Sequence, residues 1–125
     1  MKTKIKKNKI KWWSVASCGI HAEIGSPISA NSKTALEEVG IAVTKFSPKQ
    51  LTQQIIADSV LVVCMTQNQK QMFEECGNVV CVKDICGYDI PDPYGCDINV
   101  YRMTRDALDG ACDKIIQDFI LQYKD

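Results

Sequence analysis

The chain has 125 residues, 46% of them hydrophobic, with 15 basic and 15 acidic side chains. That length suits one domain, here taken as 1–125, with an apolar core of its own. A formal charge of zero gives no general pull toward nucleic acid or an anionic membrane, and no apolar run reaches the roughly 20 residues a bilayer requires.

The start, MKTKIKKNKIKWW, is basic but has no apolar stretch of the signal-peptide kind. Residues 1–11 are the one compositional outlier, expected to be disordered or the remnant of a first helix. A lysine run of this sort is ordinarily a solvated one. WWSVAS (12–17) reads as a strand, with Trp12 and Trp13 on opposite sides. Residues 18–29 form a loop carrying Gly19, Gly25 and Pro27. His21 lies in it without the neighbours that a ligand or base would need.

ANSKTALEEVG follows as a helix, with Ala35, Leu36 and Val39 on one face and Gly40 as its stop. SPKQLTQQIIADS is a second, capped by Ser47 or Thr52 and turning Leu51, Ile55 and Ile56 inward. VLVVCMT (60–66) is a continuous apolar run, the pattern of a parallel strand buried on both faces. Thr66 and Gln69 make a capping-box start for a helix through Phe73. NVVCV (78–82) is the next strand. The last helix has the best periodicity, with Leu108, Ala111, Cys112, Ile115, Ile116, Phe119 and Tyr123 at helical spacing. Gly110 inside it costs about 1 kcal/mol relative to alanine. Arg102 and Arg105, near its start, read as exposed.

Alternating strands and helices define an α/β fold with a parallel sheet, which binds ligands at loops beyond the carboxyl ends of its strands. DIPDPYG (89–95) follows the NVVCV strand and falls near that edge. Pro91 and Pro93 fix the backbone on both sides of Asp92. Such stiffness is ordinary turn chemistry, and it also suits a carboxyl group that must be aimed.

The seven cysteines are Cys18, Cys64, Cys76, Cys81, Cys86, Cys96 and Cys112. An odd number, several of them inside apolar runs and with no export signal, implies reduced, largely core-filling thiols in the cytoplasm. Cys76, Cys81 and Cys86 are spaced five apart, not as the C-x-x-C of common zinc sites.

Taken in order, VASCGIHAEIGSPISANSKTALEEVGI, KQLT, ADSVLVVCMT, DIPDPYG and YRMTRDAL resemble the low-molecular-weight protein tyrosine phosphatase family, over roughly residues 8 to 123. The resemblance implies a flavodoxin-like parallel sheet of four strands with helices on both faces. It implies hydrolysis of phosphotyrosine or a small phosphomonoester through a phosphocysteine, with no cofactor or metal. A C-x-x-x-x-x-R-S loop would cradle the phosphate in backbone N–H groups and lower the pKa of its thiol. By the same resemblance Asp92 is the general acid, which protonates the leaving phenolate and then activates water. Tyr94 is the aromatic wall of the phosphotyrosine cleft.

The family's nucleophile loop precedes the segment that residues 1–17 resemble, and no cysteine lies upstream of Cys18. Cys96 to Arg102 fits C-x-x-x-x-x-R by count, but it lacks glycines for a tight cradle and Asp97 sets negative charge beside it. Cys64 to Lys70 runs from a buried strand into a helix. The chain therefore reads as N-terminally truncated, without its nucleophile and inactive as written.

The absent first strand would be central in the family order 2-1-3-4. The remaining sheet is expected to be of reduced stability and prone to self-association through its open edge. Two other readings stand beside the phosphatase: a non-catalytic interaction module, and a thiol-redox protein of the arsenate reductase type. The latter needs a closer cysteine pair than Cys64 and Cys76 and the same missing loop cysteine.

Overall fold

The computed structural model describes residues 14–19, 28–43 and 49–120. Its elements are α1 (Ala30–Glu37), α2 (Gln53–Asp58), β1 (Val62–Cys64), α3 (Gln67–Gln71), β2 (Val79–Cys81), α4 (Val82–Cys86) and α5 (Ile98–Ile115). A π-helical turn, Ile116–Ile120, continues α5.

β1 and β2 pair in parallel, with Val62 beside Val79, Val63 beside Val80 and Cys64 beside Cys81. The expected parallel arrangement therefore holds, with shorter strands than the apolar runs predict. Val82 belongs to α4, because the Asp84 carboxylate accepts the Cys81 N–H at 3.1 Å and turns the chain at once into a helix.

Both faces of β1 are covered. Val62 and Cys64 pack in a cluster with Ile56 of α2, Val79 and Phe73. Val63, like Val15 and Ile85, packs against Ile115 and Ile116, and also against the neighbouring group of Val82, Ile90 and Ala111. The edges differ. Val62 N–H donates to the Asn78 carbonyl at 2.9 Å. In a parallel ladder Val62 and Cys64 then bond toward β2, while Val63 turns its N–H and C=O to the other side. Among the described residues β2 is the only strand paired with β1.

Residues 14–17 form no ladder, which corrects the expected strand at 12–17; Trp12 and Trp13 lie outside the described residues. Val15 packs against the Ile115–Ile116 cluster, and just beyond the segment Gly19 makes an isolated parallel bridge with Gln50. Gly19 N–H donates to Lys49 O at 2.8 Å and Gly19 O accepts from Leu51 N at 2.9 Å. A run rich in β-formers becomes a strand only where a neighbour supplies its hydrogen bonds.

The helix starts follow the sequence closely. Ser29 Oγ caps α1 by accepting Ser32 N–H, and Gly40 ends the turn after it at φ +81°. Thr52 caps α2; Ser47, the alternative, lies outside the described residues, as do 1–11, His21 and Tyr123. Thr66 caps α3, but the Gln69 side chain accepts Met65 N–H at 3.1 Å, one residue earlier than a standard capping box. α3 stops at Gln71, short of the expected Phe73. Among the described residues no helix is long and apolar enough to cross a membrane.

Candidate active site

The DIPDPYG loop is rooted at the carboxyl end of β1. Ile90 N–H donates to Met65 O at 2.9 Å, and the Ile90 side chain, 4% exposed, is driven into the core. Asp89 Oδ1 accepts the N–H of Gln67 in the first turn of α3 at 3.0 Å. The two aspartates of the loop thus divide their work: Asp89 fastens the root, and Asp92 stands at the exposed tip.

The tip is held by its own hydrogen bonds. Asp92 Oδ1 accepts Tyr94 N–H at 3.0 Å, and Cys96 N–H donates to Pro93 O at 2.9 Å. Gly95 completes the turn at φ +79°, a conformation that a side chain would strain. Asp92 Oδ2 has no hydrogen-bond partner among the described residues. One carboxylate oxygen of this exposed residue is therefore fixed, and the other has no partner among the described residues. That is a fit geometry for a proton donor or acceptor, because the fixed oxygen sets the direction of the free one.

Tyr94 is 83% exposed. Its loop faces the first turn of α1 across an open cleft of about 410 Å³, bounded by Ser29, Asn31, Tyr94 and Cys96 and floored by the buried Tyr101. Asn31 Nδ2 reaches across to Cys96 O at 3.4 Å. A larger cleft of about 670 Å³ lies between α2 and the end of α3, and neither Asp92 nor Tyr94 borders it.

Arg102 and Arg105, read from the sequence as exposed, are engaged, which is a correction. Arg102 forks onto Glu38, with Nη2 at 2.6 Å from Oε2 and Nε at 3.0 Å from Oε1. Arg105 Nη1 donates to Glu38 Oε1 and to Ala35 O, both at 2.9 Å. The Glu38 carboxyl is held below its usual range, first by the hydrogen bonds from Arg102 and then by Arg105. The three-residue spacing of Arg102 and Arg105 puts both on one helix face, but nothing in the sequence points that face at Glu38.

The same contacts explain why Cys96 to Arg102 makes no phosphate cradle. The guanidinium of Arg102 is spent on Glu38 and Asn99, and Asp97 caps α5 by accepting Val100 N–H. Lys70, at the corresponding place after Cys64, is bound to Asp84 at 2.7 Å. Burial pushes the Cys64 thiol up, away from the thiolate that a nucleophile requires. All seven cysteines are free thiols: Cys64 and Cys81 are buried, Cys18 and Cys96 exposed, the other three between.

Comparison with known proteins agrees with this architecture. Residues 1–122 match the family model described as low molecular weight phosphotyrosine protein phosphatase. A protein-arginine-phosphatase of Geobacillus stearothermophilus is 32% identical over 111 residues, 82% of this chain and 74% of that protein. The low molecular weight protein-tyrosine-phosphatase Ptp of Acinetobacter johnsonii is 27% identical over 86 residues, 65% of this chain and 61% of its own. The crystal structure of a low molecular weight protein tyrosine phosphatase from T. tengcongensis superposes with a TM-score of 0.84 at 28% identity, covering 94% of this chain and 84% of that one. The flavodoxin-like α/β fold expected from the sequence is the fold of these neighbours, and the chain belongs to the low molecular weight phosphotyrosine protein phosphatase family.

Proposed function

We propose that this chain carries the general-acid side of a low molecular weight phosphatase. Asp92 donates the proton to the leaving group and Tyr94 forms the aromatic wall beside it. The observation that carries the reading is the Asp92 carboxylate. One oxygen is tied to Tyr94 N–H and the other has no partner among the described residues, on a loop fastened to the carboxyl end of β1. The substrate class is a phosphorylated protein side chain or a small phosphomonoester. Phosphotyrosine comes first, because an exposed tyrosine ring offers a planar phenyl group a stacking surface. Relatives named for arginine phosphatase make phosphoarginine the alternative.

No cysteine among the 125 residues has the setting of the family nucleophile, so we infer that they do not hydrolyse phosphotyrosine unaided. An acid without a nucleophile and an anion cradle leaves most of the barrier in place. Two assays test this. The chain alone, with p-nitrophenyl phosphate, a phosphotyrosine peptide and phosphoarginine, is expected to give no turnover. Turnover abolished by Cys96→Ser would overturn the inference. A chimera with a family phosphatase's nucleophile-bearing segment placed ahead of residue 12 is expected to be active. Asp92→Asn in that chimera should lower kcat by about a hundredfold or more. An unchanged kcat would remove Asp92 from its role.

A second reading, an interaction module that self-associates, is favoured by the open side of β1. The half-buried Val63 side chain packs against two core clusters, yet its backbone groups face no strand among the described residues. Exposed polar backbone beside apolar side chains is a template for strand addition. Light scattering across a concentration series is expected to show dimers or larger species. A strictly monomeric, cooperatively melting chain would refute it.

A further inference from the structure

The cleft beside Tyr94 has two walls on different elements, and one contact joins them directly: Asn31 Nδ2 to Cys96 O, at 3.4 Å. At that length it is a weak hydrogen bond, enough to bias the loop tip but not to hold a helix in place by itself. The strong contacts lie farther along. α1 and α5 run side by side in the same direction, with Asn31 of α1 near Cys96 and Glu38 near Arg102 and Arg105. Glu38 receives both arginines. The Arg105 side chain, only 17% exposed, also takes the Ala35 carbonyl in the last turn of α1. Ala35, 2% exposed, shows how closely this side of α1 is packed.

We propose that Glu38, Arg102 and Arg105 are positioning residues for the acid loop. Their ion-pair clamp sets where the first turn of α1 stands, and so fixes through Asn31 the shape of the loop tip that carries Asp92 and Tyr94. The inference rests on reading residues 92–96 as the acid loop. A rigid helix transmits a fixed end: once its last turn is clamped to α5, its first turn has little freedom to move away from the loop that leads into α5. Asp97 follows Cys96 directly and caps α5, so the loop and the clamp share one rigid base. The bidentate fork of Arg102 suits this task, since it fixes direction as well as distance.

The test reads the loop itself in the full chain. Tyr94 N–H, bonded to Asp92 Oδ1, and Cys96 N–H, bonded to Pro93 O, report the closed tip. Val62 N–H, bonded to Asn78 O, reports the sheet. Amide exchange is measured by NMR for wild type, Glu38→Gln, Arg102→Lys and Asn31→Ala. Glu38→Gln is expected to speed exchange at Tyr94 and Cys96 by about fivefold, the scale of one lost stabilising contact. Val62 should keep its wild-type rate, Asn31→Ala should reproduce the effect, and Arg102→Lys should give a smaller rise at the same two amides.

Unchanged Tyr94 and Cys96 rates would overturn the proposal. So would an equal rise at all three amides, which is general loosening. If Glu38→Gln fails to fold, Arg102→Lys, which keeps the charge and loses the fork, decides by the same rates. Exchange is read without turnover. A failed clamp therefore leaves the acid role of Asp92 standing, and an inactive chimera leaves the clamp standing.

Discussion

Ile90 is where the DIPDPYG loop, the proposed acid loop, and the core depend on the same side chain. It is 4% exposed and packs against Val82 and Ala111, with half-buried Val63, Met65, Cys86, Ala107 and Leu108 around them. Ile90→Val removes one carbon, worth about 0.8 kcal/mol of transfer free energy. Ile90→Ala removes three, about 2.4 kcal/mol, and the cavity left among tightly packed neighbours raises the expected loss to about 3 to 4 kcal/mol. Against the total of roughly 5 to 15 kcal/mol usual for a domain, that is a large fraction. Urea unfolding followed by far-ultraviolet circular dichroism measures it. With a slope of about 1.5 kcal/mol per molar, the alanine variant should lose about 2 M in midpoint and the valine variant about 0.5 M. A cost below about 1 kcal/mol for Ile90→Ala would refute the reasoning, because it would mean that the root of the loop is not seated in the core. Equal costs for the two variants would refute it as well.

Asp84 accepts from Lys70 and from Cys81 N–H, and these hold its pKa at about 2. A carboxyl lowered on folding contributes its stability above the unfolded value of 3.8 and loses it as pH falls toward about 2. Urea midpoints should therefore drop between pH 4 and 2 in wild type, and Asp84→Asn should flatten that drop. Gly95→Ala, at φ +79°, should cost about 1 kcal/mol by the same unfolding measurement, and a neutral result would count against a left-handed turn there. Tyr94→Ala, at an exposed position, should change stability by less than about 0.5 kcal/mol while weakening capture of a phenyl phosphate by the active chimera. In the native chain a bulky thiol reagent should label Cys18 and Cys96 quickly and leave Cys64 and Cys81 unlabelled until denaturant is added.

The parts of this fold that were legible in the sequence are those fixed by local chemistry. Thr52 and Thr66 cap helices because their side-chain oxygens accept the first free N–H groups. The continuous apolar run around Val62 marked a strand covered on both faces. Segments that need a distant partner were not legible. Residues 14–17 have the composition of a strand and no ladder to join. The bond from Gln67 N–H to Asp89 spans 22 residues, and that from Arg105 to Glu38 spans 67. No periodicity within either segment encodes such a pairing. The role proposed for Asp92 came from resemblance in motif order, since DIPDPYG by itself reads more readily as a rigid turn.

The loop's rigidity has a chemical consequence that composition could not supply. A general acid works only if its proton lies within hydrogen-bond reach of the leaving oxygen at the moment the bond breaks. An exposed aspartate on a mobile loop would spend most of its time elsewhere. Here the prolines fix the backbone, the Tyr94 N–H immobilises one carboxylate oxygen, and Ile90 and Asp89 hold the root against the core and α3. The order is paid in backbone entropy during folding and not at each turnover. The same logic places the clamp on α5. The cleft's second wall belongs to a different helix, so the acid role proposed for Asp92 requires α1 to be fixed as firmly as the loop. Glu38, with two arginines on one carboxylate, is where that fixing is strongest among the described residues.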